Sequence, residues 1–223
     1  MTDLLVLGAD SRFTVRRIYC VGRNYVAHIR EMKEADEREP PFFFQKPTDA
    51  IVPDGGVVPY PSVTKDLHHE IELVVAIKSS GRNISVGNAL DHVLGYGIGL
   101  DMTRRDLQRE AKDRGLPWEI GKAFDHSAPC GPIQTVTSVG HLLDGSIALA
   151  VNGVTRQKGN LRDMIWNVPE IISNLSSLYE LKPGDLIFTG TPSGVGPVVP
   201  GDRLEGMVDR LGSLNITIGP REV

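Results

Sequence analysis

Apolar positions along the chain recur mostly with the two-residue period of half-buried strands, and helical periodicity surfaces only in short stretches. The clearest alternation is HHEIELVVAI, which is rich in β-branched residues. It predicts a strand with His69, Ile71, Leu73 and Val75 on one face and Glu70, Glu72, Val74 and Ala76 on the other. RRIYCVGRNY predicts a strand that turns at Gly22, after which Asn24 caps a short helix through YVAHIREM. EADEREPP is polar and breaker-rich and predicts a mobile loop, and FFFQKPTDAIV a buried strand interrupted at Pro47. NISVGNALDHVLGYGIGLD predicts a short helix followed by a glycine-rich strand. In TRRDLQREAKDRG, Thr103 is expected to cap a helix, Asp106 to complete a capping box and Gly115 to stop the helix. ALAVNGVTRQKG carries an Asn-Gly pair between two runs and predicts a hairpin, and one more helix is predicted near DMIWNVPEIISNLSSLY.

Composition sharpens this picture. The 24 glycines and 15 prolines are spread through all 223 residues, which favours many short strands over long helices. No repeat, low-complexity tract or Ser/Gly linker divides the chain, so one domain over 1–223 is the simpler organisation. The expected fold class is α+β, mainly β, with a few helices packed on the sheets. MTDLLVLGAD has no basic region before its short apolar stretch, and no apolar run approaches the roughly 18 residues of a membrane span. Neither a signal peptide nor membrane association is expected. Cys20 and Cys130 are too few for a disulfide framework and are expected to be buried thiols in a reducing compartment, the cytoplasm. Net charge is −4 and the longest charged run, EADERE, is acidic, so nucleic acid is not an expected partner. The absence of C-x-x-C and H-E-x-x-H argues against structural zinc.

The first candidate chemistry is the pair Glu70 and Glu72. Two carboxylates on one side of an otherwise apolar strand are costly to bury without a counter-charge, which a divalent cation would supply. Asp101, at the end of GYGIGLD, is a third oxygen donor, and three such donors suit Mg²⁺ or Mn²⁺. The same spacing also fits an edge strand whose acidic face meets solvent, with Asp101 as a helix cap. Arg105 and Gln108 are three apart, on one helix face, where the guanidinium can grip a carboxylate. Lys122, in an apolar, glycine-containing stretch, can stabilise an enolate or polarise a carbonyl. The alternative for both cations is a solvated surface charge. His28 and Glu31 are one turn apart: either a carboxylate-oriented general base or a surface helical contact. FTGTPSGVGPVVPGD lacks the ending of a nucleotide-binding loop, and is either the lining of an anion pocket or a turn between strands.

Taken together, YCVGRNYVAHIREM, PFFFQKP, HHEIELVVAI, GYGIGLDMTRRDLQREAK, GLPWEIGKAFD and LKPGDLIFTGTPSGVGPV resemble the fumarylacetoacetate hydrolase family. The blocks run in the family's order from Tyr19 to about Val199, and H-x-E-x-E, L-D-x-T-x-R-D-x-Q and T-G-T-P form a specific combination. The stretch from Gln134 to Ser146 and the tail after Gly201 match loosely. The resemblance implies a β-roll or sandwich with a short lid helix, a divalent metal at its mouth and assembly as a homodimer. It implies Glu70, Glu72 and Asp101 as metal ligands, and His28 with Glu31 as the pair that activates water. Arg105, Gln108, Lys122 and Thr191 match substrate-contacting positions, and Arg23, Lys46 and Phe42–Phe44 are candidates for the pocket wall, core packing being the alternative for the phenylalanines.

Within the family the shorter acylpyruvate hydrolase branch fits better than the longer fumarylacetoacetases, and the motif wording is most similar to members that act on fumarylpyruvate in gentisate degradation. The implied activity is metal-dependent hydrolysis of a C–C bond in a small anionic 2,4-diketo acid. Oxaloacetate decarboxylation at the same site is the nearest alternative. A keto-acid tautomerase or isomerase, or a metal-binding domain that only recognises a dicarboxylate, are the others.

Overall fold

The computed structural model describes residues 2–8, 11–25 and 39–223. Apart from Tyr25, the helix expected over YVAHIREM, with His28 and Glu31, lies outside the described residues, as does most of the EADEREPP loop.

The largest element is an eight-stranded sheet. Its order is Arg12–Thr14, Asp3–Leu7, Ile133–Thr135, Val93–Leu100, Ile71–Ile77, Asp185–Phe188, Arg17–Gly22 and Phe42–Lys46. The alternating segment therefore becomes a central strand, antiparallel to both Val93–Leu100 and Asp185–Phe188. Its two faces feed different cores. Ile71, Leu73, Val75 and Ile77 join the larger cluster with Ile147, Leu149, Leu204, Leu214 and Ile216. Val74 and Ala76 join a smaller one with Leu4, Ile18, Ile133 and Phe188. Burial on both faces explains the near-continuous apolar run ELVVAI.

A second sheet, in the order Val154–Asn160, Ser146–Val151, Arg203–Val208, Gly212–Arg221 and Val57–Tyr60, supplies the other side of the larger cluster. The sheets approach closely at Gly206, where a Cβ would stand 2.9 Å from the Ile71 side chain. The expected hairpin forms Ser146–Val151 and Val154–Asn160, with Asn152 and Gly153 both at positive φ, as a two-residue hairpin turn of this hand requires. The glycine-rich strand has a packing cause: a Cβ on Gly99 would meet the Phe188 ring at 2.5 Å and Val74 at 2.6 Å.

Among the described residues helices are few: Arg105–Asp113, Glu119–Lys122, Val136–Val139 and Val168–Leu178. The last opens with a capping box between Asn167 and Glu170. No described helix is long and apolar enough to cross a membrane. Both cysteines are free and buried; burial pushes the Cys130 thiol up to about 12.

Three local expectations are corrected. The helix Arg105–Asp113 carries no capping box: Thr103 hydrogen-bonds the Asp101 carbonyl and Lys122, and Asp106 accepts from Thr64, Lys65 and Leu107. Tertiary partners outcompete the local cap. The segment Phe42–Lys46 is a half-buried edge strand, because among the described residues only Arg17–Gly22 flanks it. The short helix expected within NISVGNALDHV forms as a 3₁₀ helix, Val86–His92.

Candidate metal centre and active site

The strand Leu67–His69 ends at Glu70, and Ile71–Ile77 begins one residue later. At that break the Asp101 N–H donates to the Glu70 carbonyl at 2.8 Å. Beyond it the strands pair in a register that sets Ile71 opposite Leu100 and Glu72 opposite Gly99. Backbone pairing alone thus gathers Glu70, Glu72 and Asp101. A carboxylate oxygen from each lies within 4.8 Å of the others, and all three residues are buried. A solvent-facing acidic edge is excluded.

Cations surround two of the three acids. The Lys122 ammonium donates to Glu70 Oε2 at 2.8 Å, Asp101 Oδ2 at 2.6 Å and Thr103 Oγ1 at 2.7 Å. Arg105 pairs with Glu70 through one terminal nitrogen and donates to Gln108 Oε1 at 2.5 Å through the other. Burial by itself would lower the pKa of Lys122, but the Asp101 and Glu70 carboxylates more than offset it, so its pKa lies above the ordinary lysine value. The two carboxylates therefore favour the ammonium form of Lys122. The Arg105 Nε–H faces His68 Nδ1 at 3.4 Å, and His68 Nε2 stands 2.8 Å from Asp66, a chain that orients the guanidinium.

Glu72 differs. Among the described residues no cation pairs with it, and its hydrogen bond comes from the Gly190 N–H at 2.7 Å. Burial, reinforced by the charges of Asp101 and Glu70, raises its pKa well above the carboxylate range. Asp101 Oδ1 is also buried without a hydrogen bond, held only by a 2.8 Å ion pair with Lys46. An acid short of counter-charge, an oxygen with spare acceptor capacity and three hard oxygen donors in one buried cluster fit Mg²⁺ or Mn²⁺.

The loop carrying Gly190 is fixed from two sides. Asn24 donates to the carbonyls of Thr189 at 2.7 Å and Trp166 at 2.9 Å, and accepts from the Trp166 N–H at 2.8 Å. Gly190, at φ +95°, has no room for a side chain: a Cβ would lie 2.6 Å from that of Asn24. Gln157 accepts from the Ile71 N–H and His69, and donates to Thr191 Oγ1 at 2.7 Å and the Pro192 carbonyl. Asn24→Ala leaves buried groups unpaired and is expected to lower stability by about 2–3 kcal/mol. Denaturant unfolding checks this; an unchanged midpoint would show that other contacts hold the loop.

A cleft of about 550 Å³, counting the space at its mouth, opens above the acids. Its walls include Arg23, Phe44, Arg105, Gln108, Lys112, Trp118, Lys122 and Thr191. The fumarylacetoacetate (FAA) hydrolase C-terminal family model matches residues 17–219. The chain belongs to the fumarylacetoacetate hydrolase family. A fumarylpyruvate hydrolase from Ralstonia sp is 46% identical over 184 residues, 82% of this chain and 95% of that relative. A mitochondrial oxaloacetate tautomerase from Bos taurus is 41% identical over 203 residues, 91% of each. Among solved structures, fumarylpyruvate hydrolase from Pseudomonas aeruginosa in complex with Mn²⁺ and pyruvate has a TM-score of 0.96 at 52% identity, covering 99% of this chain and 96% of that one.

In this member of the family, the cleft brings together Glu70, Glu72, Asp101, Arg23, Arg105, Gln108, Lys122 and Thr191. Lys46, expected on the substrate wall, is a correction. It is buried behind the acids, pairs with Asp101, and donates to the carbonyls of Met102 at 3.0 Å and of Lys122. Its long stem carries the ammonium under the site instead of into the cleft. Of the phenylalanines, Phe44 lines the cleft, while Phe42 packs edge-on against Trp118 with ring centroids 5.1 Å apart. Sequence reasoning missed Gln157, Lys112 and Trp118. Only Lys112 had a signal: it lies seven residues after Arg105, on the same helix face.

Proposed function

We propose that the chain is a metal-dependent hydrolase that cleaves the C3–C4 bond of a 2,4-diketo acid, converting fumarylpyruvate to fumarate and pyruvate. The observation that carries the proposal is the buried Glu70, Glu72 and Asp101 cluster beside the Lys122 ammonium at the floor of the cleft. The similarity to two fumarylpyruvate hydrolases, one solved with Mn²⁺ and pyruvate, supports the substrate class. Glu70, Glu72 and Asp101 are assigned as ligands of Mg²⁺ or Mn²⁺, which when bound supplies Lewis-acid stabilisation of developing negative charge.

The remaining chemistry falls to side chains. Arg105 and Gln108 hold the carboxylate of the pyruvyl end. His28, oriented by Glu31, takes a proton from water as the oxygen attacks C4. The C3–C4 bond then breaks, its electron pair leaves with the pyruvyl fragment as an enolate, and C3 is protonated. Lys122, a donor in its ammonium form, stabilises that enolate oxygen. Thr191, held by Gln157, contributes a hydroxyl at the cleft wall.

A second reading, oxaloacetate tautomerisation or decarboxylation, draws on the Bos taurus relative. It uses the same enolate stabilisation and needs no attacking water. The proposal includes one catalytic domain over 1–223, homodimeric assembly and a cytoplasmic location. Ultraviolet absorbance of fumarylpyruvate, followed with Mg²⁺ and then with EDTA, tests the reaction. The expected result is rapid, EDTA-sensitive decay that releases fumarate and pyruvate in equal amounts. Decay of oxaloacetate alone would replace this reading with the second.

A further inference from the structure

The helix Arg105–Asp113 lines the cleft through Arg105, Gln108 and Lys112, at spacings of three and seven residues that keep all three on one face. The face is graded in depth. Arg105 is 5% exposed and touches Glu70 at the floor, Gln108 is 8% exposed, and Lys112 is exposed at the rim. At 1.5 Å of rise per residue, the Lys112 backbone stands about 10 Å along the helix axis from that of Arg105.

The rim has its own chemistry. Among the described lining residues the acids are Glu70, Glu72 and Asp101, all buried at the floor, whereas Lys112 is an exposed cation and Arg23 a half-buried one. Arg23 sits at φ +57°, an uncommon backbone state for a residue with a side chain, and its guanidinium lies 5.4 Å from the centre of the Phe42 ring. Two aromatic side chains stand in the walls. Trp118 packs on Phe44 with ring centroids 6.2 Å apart, and both line the cleft. A cleft with aromatic side chains in its walls, a buried cation at its floor and an exposed one at its rim suits a planar unsaturated chain with a carboxylate at each end.

Resting on the acylpyruvate reading, we infer that Lys112 is a specificity-determining residue that binds the second, remote carboxylate of a dianionic acylpyruvate. A seven-carbon chain has six C–C bonds of about 1.5 Å and spans roughly 8 Å when extended. With its first carboxylate at Arg105, the second falls within reach of the flexible Lys112 side chain. A short acylpyruvate with one carboxylate, such as acetylpyruvate, ends before the rim and gains nothing from it.

The test compares wild type, Lys112→Met and Lys112→Arg, loaded with Mg²⁺, on fumarylpyruvate and acetylpyruvate. Met keeps the apolar stem and removes the charge. The wild-type preference for fumarylpyruvate, as the ratio of the two kcat/KM values, is expected to fall about ten-fold in Lys112→Met, the low end for an exposed charge-assisted bond. The loss should appear in the KM for fumarylpyruvate, and Lys112→Arg should recover most of it. An unchanged ratio in Lys112→Met, or equal losses on both substrates, overturns the proposal. Wild type that cleaves neither substrate overturns the acylpyruvate reading, and the proposal with it.

Discussion

Glu72→Ala is expected to lose stoichiometric Mn²⁺ and to bring fumarylpyruvate cleavage down to background, while the protein stays folded. Glu70 and Asp101 keep Lys122, Arg105 and Lys46 as counter-charges when Glu72 is removed. The two remaining acids are then neutralised internally and cannot complete a three-oxygen set. Glu72 itself is 2% exposed and has no cation partner among the described residues. Burying an acid in that position costs folding free energy, which offsets the Gly190 N–H left unpaired by its removal, so the metal-free variant should stay close to wild type in stability. Thermal unfolding separates the two effects. Wild type should gain stability with Mn²⁺, by about 2.7 kcal/mol at a hundred times the dissociation constant, and Glu72→Ala should gain none. A variant that still holds one Mn²⁺ per chain would remove Glu72 from the ligand set.

His28→Ala is expected to lower kcat on fumarylpyruvate by about 10²–10⁴, the scale of a positioned general base. His28 lies outside the described residues. Val21, Gly22 and Arg23, a few positions earlier, line the cleft. Among the described lining residues Lys122 and Arg105 are cations and Glu70, Glu72 and Asp101 form the proposed ligand set, which leaves no general base among them. The same substitution separates the two reactions. Hydrolysis needs an activated water, whereas tautomerisation or decarboxylation of oxaloacetate does not, so that activity should suffer less. A loss confined to KM would make His28 a binding group, and equal losses on both substrates would point to a role in enolate formation.

Much of the site was legible in the chain because it is built from local patterns. The period of HHEIELVVAI placed Glu70 and Glu72 on one face, and the strand ending in Asp101 pairs beside it. The helix face of Arg105 and Gln108 followed from spacing alone, as did the Asn-Gly hairpin from its turn residues. The capping box over Thr103 and Asp106 failed because both side chains found stronger partners far along the chain or across the cleft. Phe42–Lys46 was expected to be buried and is only half-buried, since an apolar run does not state whether its strand is central or at an edge.

The sequence by itself determined the mainly β class, the faces of the central strand, the three acids and the family to which they belong. The class and the strand faces depend on side-chain period and turn chemistry, which act over a few residues, whereas the three acids as a set and the family follow from the resemblance of the motif blocks. Only the tertiary structure decided how charge is distributed around the acids. It set Lys46 beneath the site and Lys122 within it, left Glu72 without a cation partner among the described residues, and brought Gln157 to the Thr191 loop. It also showed Lys112 rising to the rim above Arg105. Long, flexible side chains meet partners chosen by sheet order and helix placement, and no local pattern encodes where a lysine stem will end.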